Sequence, residues 1–534
     1  MNYQRLGAQF TDEWRMIEQT YTFTGLSIPS TSYMLSSPVT LPFPSLIPVD
    51  KSSGMPVYLQ IANGLIQQIR RGILQPAAKL PGTRAMAEAL GVHRKTVVAA
   101  FEELHAQGWI ESLPSKGTFV SPVMPEANPR KLNQPSADAL ALQHPAETGF
   151  VLRGNAHTRP PLVLYNGMLG FDDGFPDERL APMEEIARTY RAIVKRSSAR
   201  AYLSYVDTQG NPYLRSELST HLNLTRGLHT SPDNLLITRG SQMGIYLVAQ
   251  ILIAAGDCVV VGETNYFPAD MTVRHAGADL VRVPVDDWGL SVDHVREVCQ
   301  RRRIRAVFVT SHHHHPTTVT LSAERRIRLL SLAEEFGFAI VEDDYDYDFH
   351  YHSSPILPLL SADTKGMVIY IGSLSKAIAP AIRLGYVVAP PNLIGEAAQL
   401  RRIIDRQGDA VMEQAIAELM HEGAIKRHLK KALKTYHQRR DFFCGRLREE
   451  LGNAIDFKTP DGGMAIWAKF DPGIDLVKLS EKALRRKLHL SNGLRYNPEG
   501  QRLNATRMGF ASLTLPEIEQ SIDQLKKAID NGQN

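Results

Sequence analysis

The sequence predicts an α/β protein in which a small helical domain precedes a large domain with a mostly parallel central sheet. Three observations support this prediction: two short helices around a glycine turn, a proline-rich stretch after them, and apolar strands alternating with helices further on. A chain of 534 residues is also too long for one ordinary hydrophobic core. We therefore expect a poorly ordered extension at 1–52, a small domain at 53–121, a linker at 122–160 and the large domain at 161–534.

Composition restricts the class of protein. Hydrophobic residues make up 43% of the chain and charged residues 22%, as in soluble globular proteins. The net charge of +4 is small, so any surface for nucleic acid must be local. The three cysteines show no paired spacing, which favours a reducing cytoplasm, and no apolar run reaches the ~18 residues of a membrane span. We expect a cytoplasmic protein without a membrane segment.

Residues 53–121 have the pattern of a helix-turn-helix followed by a wing. Apolar residues at helical spacing predict three helices, with a tight turn at Gly91 between the last two, and two short strands then flank a Lys-Gly tip. Seven basic and four acidic side chains leave this segment with a charge of +3. The second helix of the motif begins with basic residues, at the end that enters the major groove in such proteins. Candidate DNA contacts are Arg84, Arg94, Lys95, Thr96 and Lys116; a small helical domain that binds protein is the alternative.

A lysine in a small polar turn is the centre of the large domain. Residues 368–388 read as an apolar strand, a turn containing Lys376, an arginine and a second apolar strand. A lysine amine becomes a useful nucleophile when it is partly desolvated. Ser373 and Ser375 can donate to phosphate oxygens, and Arg383 can bind phosphate through paired N–H groups. Pyridoxal phosphate, which carries both a carbonyl and a phosphate, would satisfy these groups together; a surface lysine on an ordinary loop is the alternative.

An acidic run ends an apolar strand upstream of this turn. Side chains alternate along a strand, so Asp343 and Tyr345 share one face. Acids at the carboxyl end of a buried strand lie where open α/β sheets place ligands. A carboxylate that faces a pyridine nitrogen keeps it protonated and makes the ring an electron sink, and a nearby tyrosine can hydrogen-bond the ring's phenolic oxygen. A solvated acidic loop is the alternative.

The order of these motifs resembles that of fold-type I aminotransferases, from about residue 165 to the C-terminus. Residues 342–346, 372–376 and 383–386 look like the version found in MocR-type regulators of the GntR superfamily. Residues 53–121 resemble GntR-family winged helices through Leu80-Pro81, Leu90-Gly-Val-x-Arg94-x-Thr96 and Gly117-Thr-Phe-Val120. In that comparison His93 stands where the family often has Ser or Thr, and it joins the candidate DNA contacts.

The resemblance implies further roles in the large domain. A glycine turn that opens a helix forms an anion site from backbone N–H groups, which makes Gly240, Ser241 and Gln242 candidates for holding the phosphate. By resemblance, Tyr266 stacks on the cofactor ring, Tyr205 reaches the cofactor phosphate of a neighbouring subunit, and Arg507 grips the carboxylate of a substrate or effector. His315 and Thr318 stand where aminotransferases keep an asparagine and a glycine, which is a departure from the enzyme pattern.

The run of four histidines at 312–315 raises the question of a metal site. Metal ligands must converge on one ion, and adjacent residues rarely do. We expect no metal.

These patterns together predict a DNA-binding transcription regulator whose large domain binds pyridoxal phosphate on Lys376 and senses an amino compound or the cofactor itself. Its partners would be operator DNA and, by family precedent, a second copy in a head-to-tail homodimer. The alternative is an active aminotransferase with an accessory DNA-binding arm. A DNA-binding scaffold with an inactive second domain is a third interpretation.

Overall fold

The computed structural model describes residues 41–123, 146–152, 154, 168–351, 356–497 and 501–530. The chain divides into two compact units, Met1–Leu152 and Arg153–Asn534. Residues 1–40 of the predicted extension and most of the predicted linker lie outside the described residues.

The first unit is a winged helix-turn-helix, as predicted. Its helices are α1 (Phe43–Leu46), α2 (Val57–Arg70), α3 (Thr83–Leu90) and α4 (Arg94–Ala106), and its wing pairs β1 (Ile110–Leu113) with antiparallel β2 (Gly117–Val120). Gly91 ends α3 in the left-handed conformation with φ of +61°, which is why glycine stands at this turn. Leu65, Met86, Val97 and Leu104 are fully buried where the three longer helices meet.

The start of this unit differs from the sequence prediction, which left residues up to 52 in a poorly ordered extension. Phe43 and Ile47 are 3% and 1% exposed and belong to the core of the unit. A Cβ added to Gly64 on α2 would lie 2.7 Å from Ile47 Cγ2, so the two segments pack in close contact. The many prolines of this stretch obscured apolar residues that pack against the core, and within the described residues the folded unit includes the segment from residue 41 onward.

The second unit is built on a seven-stranded sheet. The strands of the whole unit, in chain order, are β3 (Leu169–Gly170), β4 (Leu235–Thr238), β5 (Cys258–Gly262), β6 (Asp279–Val283), β7 (Val285–Asp286), β8 (Gly289–Leu290), β9 (Ala306–Val309), β10 (Ala339–Asp344), β11 (Val368–Ser373), β12 (Gly385–Val388), β13 (Ile455–Asp456), β14 (Ala465–Phe470), β15 (Leu488–His489) and β16 (Ala505–Gly509). The large sheet has the order β4-β12-β11-β10-β9-β5-β6, and β12 is its one antiparallel member. The predicted mostly parallel α/β architecture is confirmed.

Helices cover the sheet and form a second layer with the C-terminal strands. They are α5 (Met183–Lys195), α6 (Pro212–Arg226), α7 (Ser241–Leu252), α8 (Phe267–His275), α9 (Val292–Arg301), α10 (Ala323–Phe336), α11 (Pro391–Ile404), α12 (Ala410–His421), α13 (Ala424–Leu451), α14 (Leu476–Arg485) and α15 (Leu515–Asp530). The C-terminal strands β13, β14 and β16 form a separate antiparallel sheet that packs on α13, α14 and α15. Both faces of the large sheet are therefore buried, which explains its continuous apolar strands.

Within the described ranges, no helix combines the length and the apolar character that crossing a membrane requires.

Candidate cofactor and effector site

The candidate site lies at the carboxyl ends of β10 and β11. These strands are parallel neighbours, and Asp343 pairs in register with Ile371, two residues before Ser373. The turn after β11 then carries Lys376 back toward the same edge. Two patterns separated by about thirty residues in sequence are therefore brought together because parallel strands end on the same side of a sheet.

The side chains of this edge line one cavity of about 420 Å³. Asp344, on the opposite face of β10, instead accepts a hydrogen bond from the Tyr370 hydroxyl beneath the sheet. The predicted residues that line the cavity are Asp343, Tyr345, Ser373, Ser375, Lys376, Arg383, Ser241, Gln242, Tyr266 and His315.

The Lys376 amine is held in a desolvated position. It donates a hydrogen bond of 2.7 Å to the Gly174 carbonyl and lies 4.3 Å from the centre of the Phe175 ring. Burial lowers the pKa of Lys376 to about 8, although the carboxylates of Asp173 and Asp172 act in the opposite direction. A sizeable fraction of this amine is therefore neutral and nucleophilic near pH 8.

The Asp343 carboxyl lacks a partner at one oxygen. The side chain is 2% exposed, and Oδ1 has no hydrogen-bond partner within the described residues. Burial, together with the neighbouring Asp344 and Asp346, raises the pKa of Asp343 to about 8. This buried carboxyl lies at the cavity wall, and one of its oxygens receives no hydrogen bond from the described part of the chain. It therefore fits a ligand that supplies an N–H donor, as the ring of pyridoxal phosphate would.

The opposite end of the cavity is suited to a phosphate. Gly240 has φ of +82° and opens α7, and a Cβ at this position would lie 2.5 Å from Arg383 Nη2. Only glycine therefore lets the helix start approach the guanidinium this closely. Arg383 donates to the Ser375 hydroxyl at 3.3 Å and to the Arg239 carbonyl at 3.2 Å. Hydroxyls, a guanidinium and the N-terminus of α7 converge here, and this donor set fits a phosphate.

His315 forms a buried pair with a residue that the sequence prediction missed. Its Nε2 lies 3.0 Å from Asp173 Oδ2, and its ring meets Tyr266 edge-on with centroids 5.2 Å apart. Although burial opposes it, His315, Arg507 and the Tyr496 hydroxyl hold the pKa of Asp173 well below its usual range. Burial lowers the pKa of His315, although the Asp173 carboxylate acts in the opposite direction.

Thr318 keeps the backbone conformation that favours glycine. Its φ is +62°, which is uncommon for a β-branched residue. The loop therefore retains a left-handed turn at the position aligned with the aminotransferase glycine, with threonine in its place. Each of the four histidines in this loop has a separate partner: Asp344, Asp346, Thr317 and Asp173 in order. In the described part of the chain, no group of His, Cys, Asp and Glu side chains could hold a metal ion.

Arg507 is fully enclosed next to the cavity. It donates to the Asp173 carbonyl at 3.0 Å, to the Pro316 carbonyl at 3.3 Å and to the Tyr345 hydroxyl at 3.1 Å. The Tyr345 hydroxyl in turn donates to the His313 carbonyl at 3.0 Å. Arg507 therefore has protein acceptors on every nitrogen and orients Tyr345 toward the cavity.

Tyr205, another predicted cofactor residue, lies away from the cavity of its own chain. It is 75% exposed, and the Arg406 guanidinium lies 4.0 Å from the centre of its ring.

The candidate DNA contacts form an exposed surface on the first unit. Arg84, Arg94, Lys95 and Lys116 are exposed and Thr96 is half-buried. His93 precedes α4 and caps it, because its Nδ1 accepts a hydrogen bond of 3.3 Å from the Lys95 backbone N–H. The side chain that replaces the usual Ser or Thr thus performs the same capping function and leaves its other ring nitrogen for solvent or DNA.

Sequence reasoning missed the loop at 171–177 and the segment around residue 495. The loop contributes Asp173 and Phe175 to the cavity, and the segment contributes Arg495 and Tyr496. Asp172 shapes the loop by accepting from the backbone N–H groups of Gly174 and Phe175 at 2.7 and 2.9 Å. Nothing in the spacing of this loop indicated that the Gly174 carbonyl accepts a hydrogen bond from Lys376.

A buried polar cluster lies beneath the site. Arg226 donates to the hydroxyls of Tyr370 and Tyr386, the latter at 2.8 Å, and forms an ion pair of 3.1 Å with Asp348. Tyr370 donates at 2.8 Å to Asp344, which also lies 3.2 Å from His312 Nδ1. The cluster joins the strands that carry Asp343 and Lys376 from the side opposite the cavity.

Two families match this chain. Residues 168–525 match the aminotransferase class I and II family, and residues 57–120 match the gntR family of bacterial regulatory proteins.

Similar proteins include regulators with both domains. The probable rhizopine catabolism regulatory protein MocR of Rhizobium meliloti is 27% identical over 90% of this chain and 96% of its own length. The HTH-type transcriptional regulator TauR of Rhodobacter capsulatus is 29% identical over 87% of this chain and 96% of its own length. The crystal structure of kynurenine aminotransferase from Pyrococcus horikoshii, in complex with PMP, has a TM-score of 0.65 and 27% identity over 69% of this chain and 92% of that chain.

Proposed function

We infer that this chain, which belongs to the aminotransferase class I and II family and carries a gntR-family regulatory domain, is a DNA-binding transcription regulator of the MocR type whose large domain senses a small amino compound or the cofactor itself. The observation that carries this conclusion is one cavity lined by both Lys376 and Asp343, whose Oδ1 has no partner among the described residues, in a chain that also carries a winged helix. Family membership makes pyridoxal phosphate the cofactor of the large domain.

We propose a role for each group at the cofactor. Lys376 would hold the cofactor covalently, and Asp343 would receive the ring N–H. Tyr345 would turn its hydroxyl hydrogen from the His313 carbonyl to the phenolic oxygen. The phosphate would be held by Ser241, Gln242, Ser373, Ser375 and Arg383, with Gly240 admitting it, and Tyr266 and His315 would bound the ring. The chemistry that pyridoxal phosphate supplies when bound is an aldehyde that exchanges amines and a ring that withdraws electrons.

The effector would act through different affinities for two states of the protein. A ligand shifts a conformational equilibrium only by the difference between its binding free energies in the two states. An incoming amine would compete with Lys376 for the cofactor and thereby free the lysine amine, which holds the 171–177 loop through Gly174. The proposal is that this change alters the affinity of residues 53–121 for operator DNA.

The first unit would bind DNA with α4 in the major groove. Arg94, Lys95, Thr96 and His93 at the start of α4 would contact bases and phosphates, while Arg84 and Lys116 would contact flanking phosphates. All of these side chains except the half-buried Thr96 are exposed, which supports this assignment. The linker of 122–160 would connect this unit to the cofactor domain of 161–534.

A head-to-tail homodimer would complete the cofactor site. Tyr205 is exposed and lies outside the cavity of its own chain, which suits a residue that reaches the cofactor phosphate of a partner subunit. Sedimentation should then give twice the mass of the chain, and Tyr205→Ala should weaken cofactor retention. A dimer whose cofactor affinity is unchanged by Tyr205→Ala would remove that role.

The test measures visible absorption and DNA affinity on the same protein. Lys376→Ala should abolish the absorption band of the lysine-bound cofactor, whereas Lys365→Ala, a change at an exposed lysine, should leave it unchanged. Arg94→Ala should weaken operator binding with no change in the band, while Arg71→Ala, which removes an exposed charge away from α4, should have a smaller effect. Wild-type DNA affinity in Arg94→Ala would refute the placement of α4.

The same titration separates a sensor from an enzyme. An amine that produces one stable spectral change and shifts DNA affinity supports the sensor. Repeated cycling with an amino acid and a keto acid would instead favour the aminotransferase alternative.

A further inference from the structure

The long helix α13 carries basic side chains that the proposed function does not use. The segment 426–434, within its first three turns, contains five basic side chains and no acidic one. All five are exposed. A helix turns by about 100° and rises by about 1.5 Å for each residue, so the five project from one face within about 140° and extend over about 12 Å. We call this face the basic stripe; it consists of Lys426, Arg427, Lys430, Lys431 and Lys434.

The basic stripe lacks the acidic partners that other basic residues nearby possess. Within the described residues, none of its five side chains forms an ion pair with a carboxylate. Further along α13, Arg446 pairs with Glu449 at 2.6 Å and with Glu450 at 2.9 Å. On α15, Lys526 pairs with Glu450 at 2.7 Å. The positive charge of the basic stripe is therefore left without neutralisation by the protein.

Two effects make this arrangement unfavourable for the helix itself. Like charges four residues apart on a helix repel each other, as Lys426 and Lys430 do and as Lys430 and Lys434 do. The first turn of α13 contains Lys426 and no acidic residue, although the N-terminal end of a helix already carries partial positive charge. Because all five side chains are exposed, packing does not require them. A polyanion lying along the basic stripe would relieve both effects.

Duplex DNA is the polyanion that this chain is suited to bring to the surface. It carries one negative charge for every ~1.7 Å of its axis, so a length of about 12 Å presents about seven charges. The segment 53–121 of the same chain is the proposed DNA-binding unit, and the linker of 122–160 keeps both surfaces on one molecule. A second surface that is tethered to the first acts at a high effective concentration. An acidic protein is the competing occupant, and the test below separates the two.

We propose that the basic stripe binds the phosphate backbone of DNA that flanks the operator, so that the large domain binds DNA as well as its ligand. Contacts to phosphate carry no sequence information. The basic stripe therefore adds affinity and leaves the choice of operator to the residues at the start of α4. This inference rests on the proposed function, because it takes residues 53–121 to bind DNA.

The test measures the DNA affinity of the full-length protein over a series of salt concentrations. It uses two duplexes that share one central sequence, with lengths of about 20 and about 60 base pairs, so that only the longer one supplies flanking phosphates. The stripe variant replaces three lysines of the basic stripe by glutamine: Lys426→Gln, Lys430→Gln and Lys434→Gln. The matched control variant removes the same charge from three exposed lysines on other segments: Lys365→Gln, Lys469→Gln and Lys478→Gln.

We expect the stripe variant to lose affinity only for the long duplex. There the slope of log K against log salt should become shallower by about 2 to 3, since each phosphate contact contributes about 0.9 to the slope. Affinity for the long duplex at the lowest salt concentration should fall at least tenfold, and affinity for the short duplex should stay within twofold. The control variant should match the wild type on both duplexes. Both variants should keep the visible absorption of the lysine-bound cofactor, which shows that the large domain is folded.

Three outcomes would overturn the inference. An unchanged slope for the stripe variant on the long duplex would leave the basic stripe to an acidic protein. An equal loss in the control variant would reduce the effect to net charge, and an equal loss on both duplexes would rule out contact with the flanks. Failure of the proposed function is distinguishable, because the wild type would then bind neither duplex, or Arg94→Ala would leave the affinity for both unchanged.

Discussion

Replacing Asp343 by asparagine should stabilise the cofactor-free protein and weaken cofactor binding. The pKa of this buried carboxyl is raised from 3.8 to about 8, so between these values the folded state keeps a proton that the unfolded state has released. The free energy of unfolding therefore falls as pH rises through this window, by about 1.4 kcal/mol for each pH unit. The accumulated cost is about 4 kcal/mol at pH 7, an upper figure because water in the cavity relieves part of it.

Asparagine has the same shape and does not ionise, so Asp343→Asn should raise the free energy of unfolding at pH 7 by about 1 to 4 kcal/mol. Chemical denaturation of the cofactor-free protein, followed by near-ultraviolet circular dichroism, measures this gain. The gain should shrink as the pH is lowered toward 4. The same variant should bind pyridoxal phosphate at least tenfold more weakly, because the ring N–H loses its anionic partner.

Asp344→Asn is the control, one residue away and equally buried. Although burial raises it, the pKa of Asp344 is held below its usual range by His312, Arg226 and Tyr370. Removing this charge should cost about 3 kcal/mol because its partners stay buried. A cofactor-free Asp343→Asn protein that is less stable than the wild type at pH 7, or an Asp344→Asn protein that is more stable, would refute the reasoning.

Three further predictions follow from individual contacts. Gly240→Ala places a Cβ 2.5 Å from Arg383 Nη2 at a φ of +82°, so cofactor affinity measured by equilibrium dialysis should fall at least tenfold, whereas Gly395→Ala, with nothing within 4 Å, should leave it unchanged. In the cofactor-free protein, the rate at which an amine-specific reagent labels Lys376 should rise with a midpoint near the pKa of about 8, and a midpoint at the ordinary value of 10.5 would contradict the desolvated setting. Leu65→Ala truncates a fully buried side chain of the first unit and should cost about 2 to 5 kcal/mol there, abolishing DNA binding while the visible absorption of the cofactor persists; loss of both would show that the two units do not unfold independently.

The sequence was informative wherever function depends on a short local pattern. Asp343 ends one apolar strand and Lys376 follows another, and the chemistry of these side chains, with the order of the motifs, was enough to predict one cofactor site. The helix-turn-helix was readable for the same reason, since its helices, its turn at Gly91 and its wing are consecutive. The family resemblance supplied the order in which these patterns should occur.

Contacts between distant segments could not be read in this way. Asp173, Lys376 and Tyr496 meet at one cavity although more than a hundred residues separate each from the next. Their meeting depends on how the C-terminal layer packs on the large sheet, and no periodicity encodes that packing. Phe43 and Ile47 were missed for a different reason. The prolines around them are typical of a loop, and only the structure shows that these two side chains complete the core of the first unit.

The cluster around Arg226 determines which part of the large domain is rigid and which part can move. Arg226 connects β11 and β12 to the segment after β10. Moving one of these strands alone would leave a buried charge without its partner, at a cost of about 3 to 5 kcal/mol. The floor of the cavity is therefore rigid. On the other side, the free Lys376 amine donates one hydrogen bond to the 171–177 loop. Under the proposed function this bond would be lost while the cofactor occupies the amine and regained when an effector displaces it, so the 171–177 loop is where a ligand would change the contacts of the large domain.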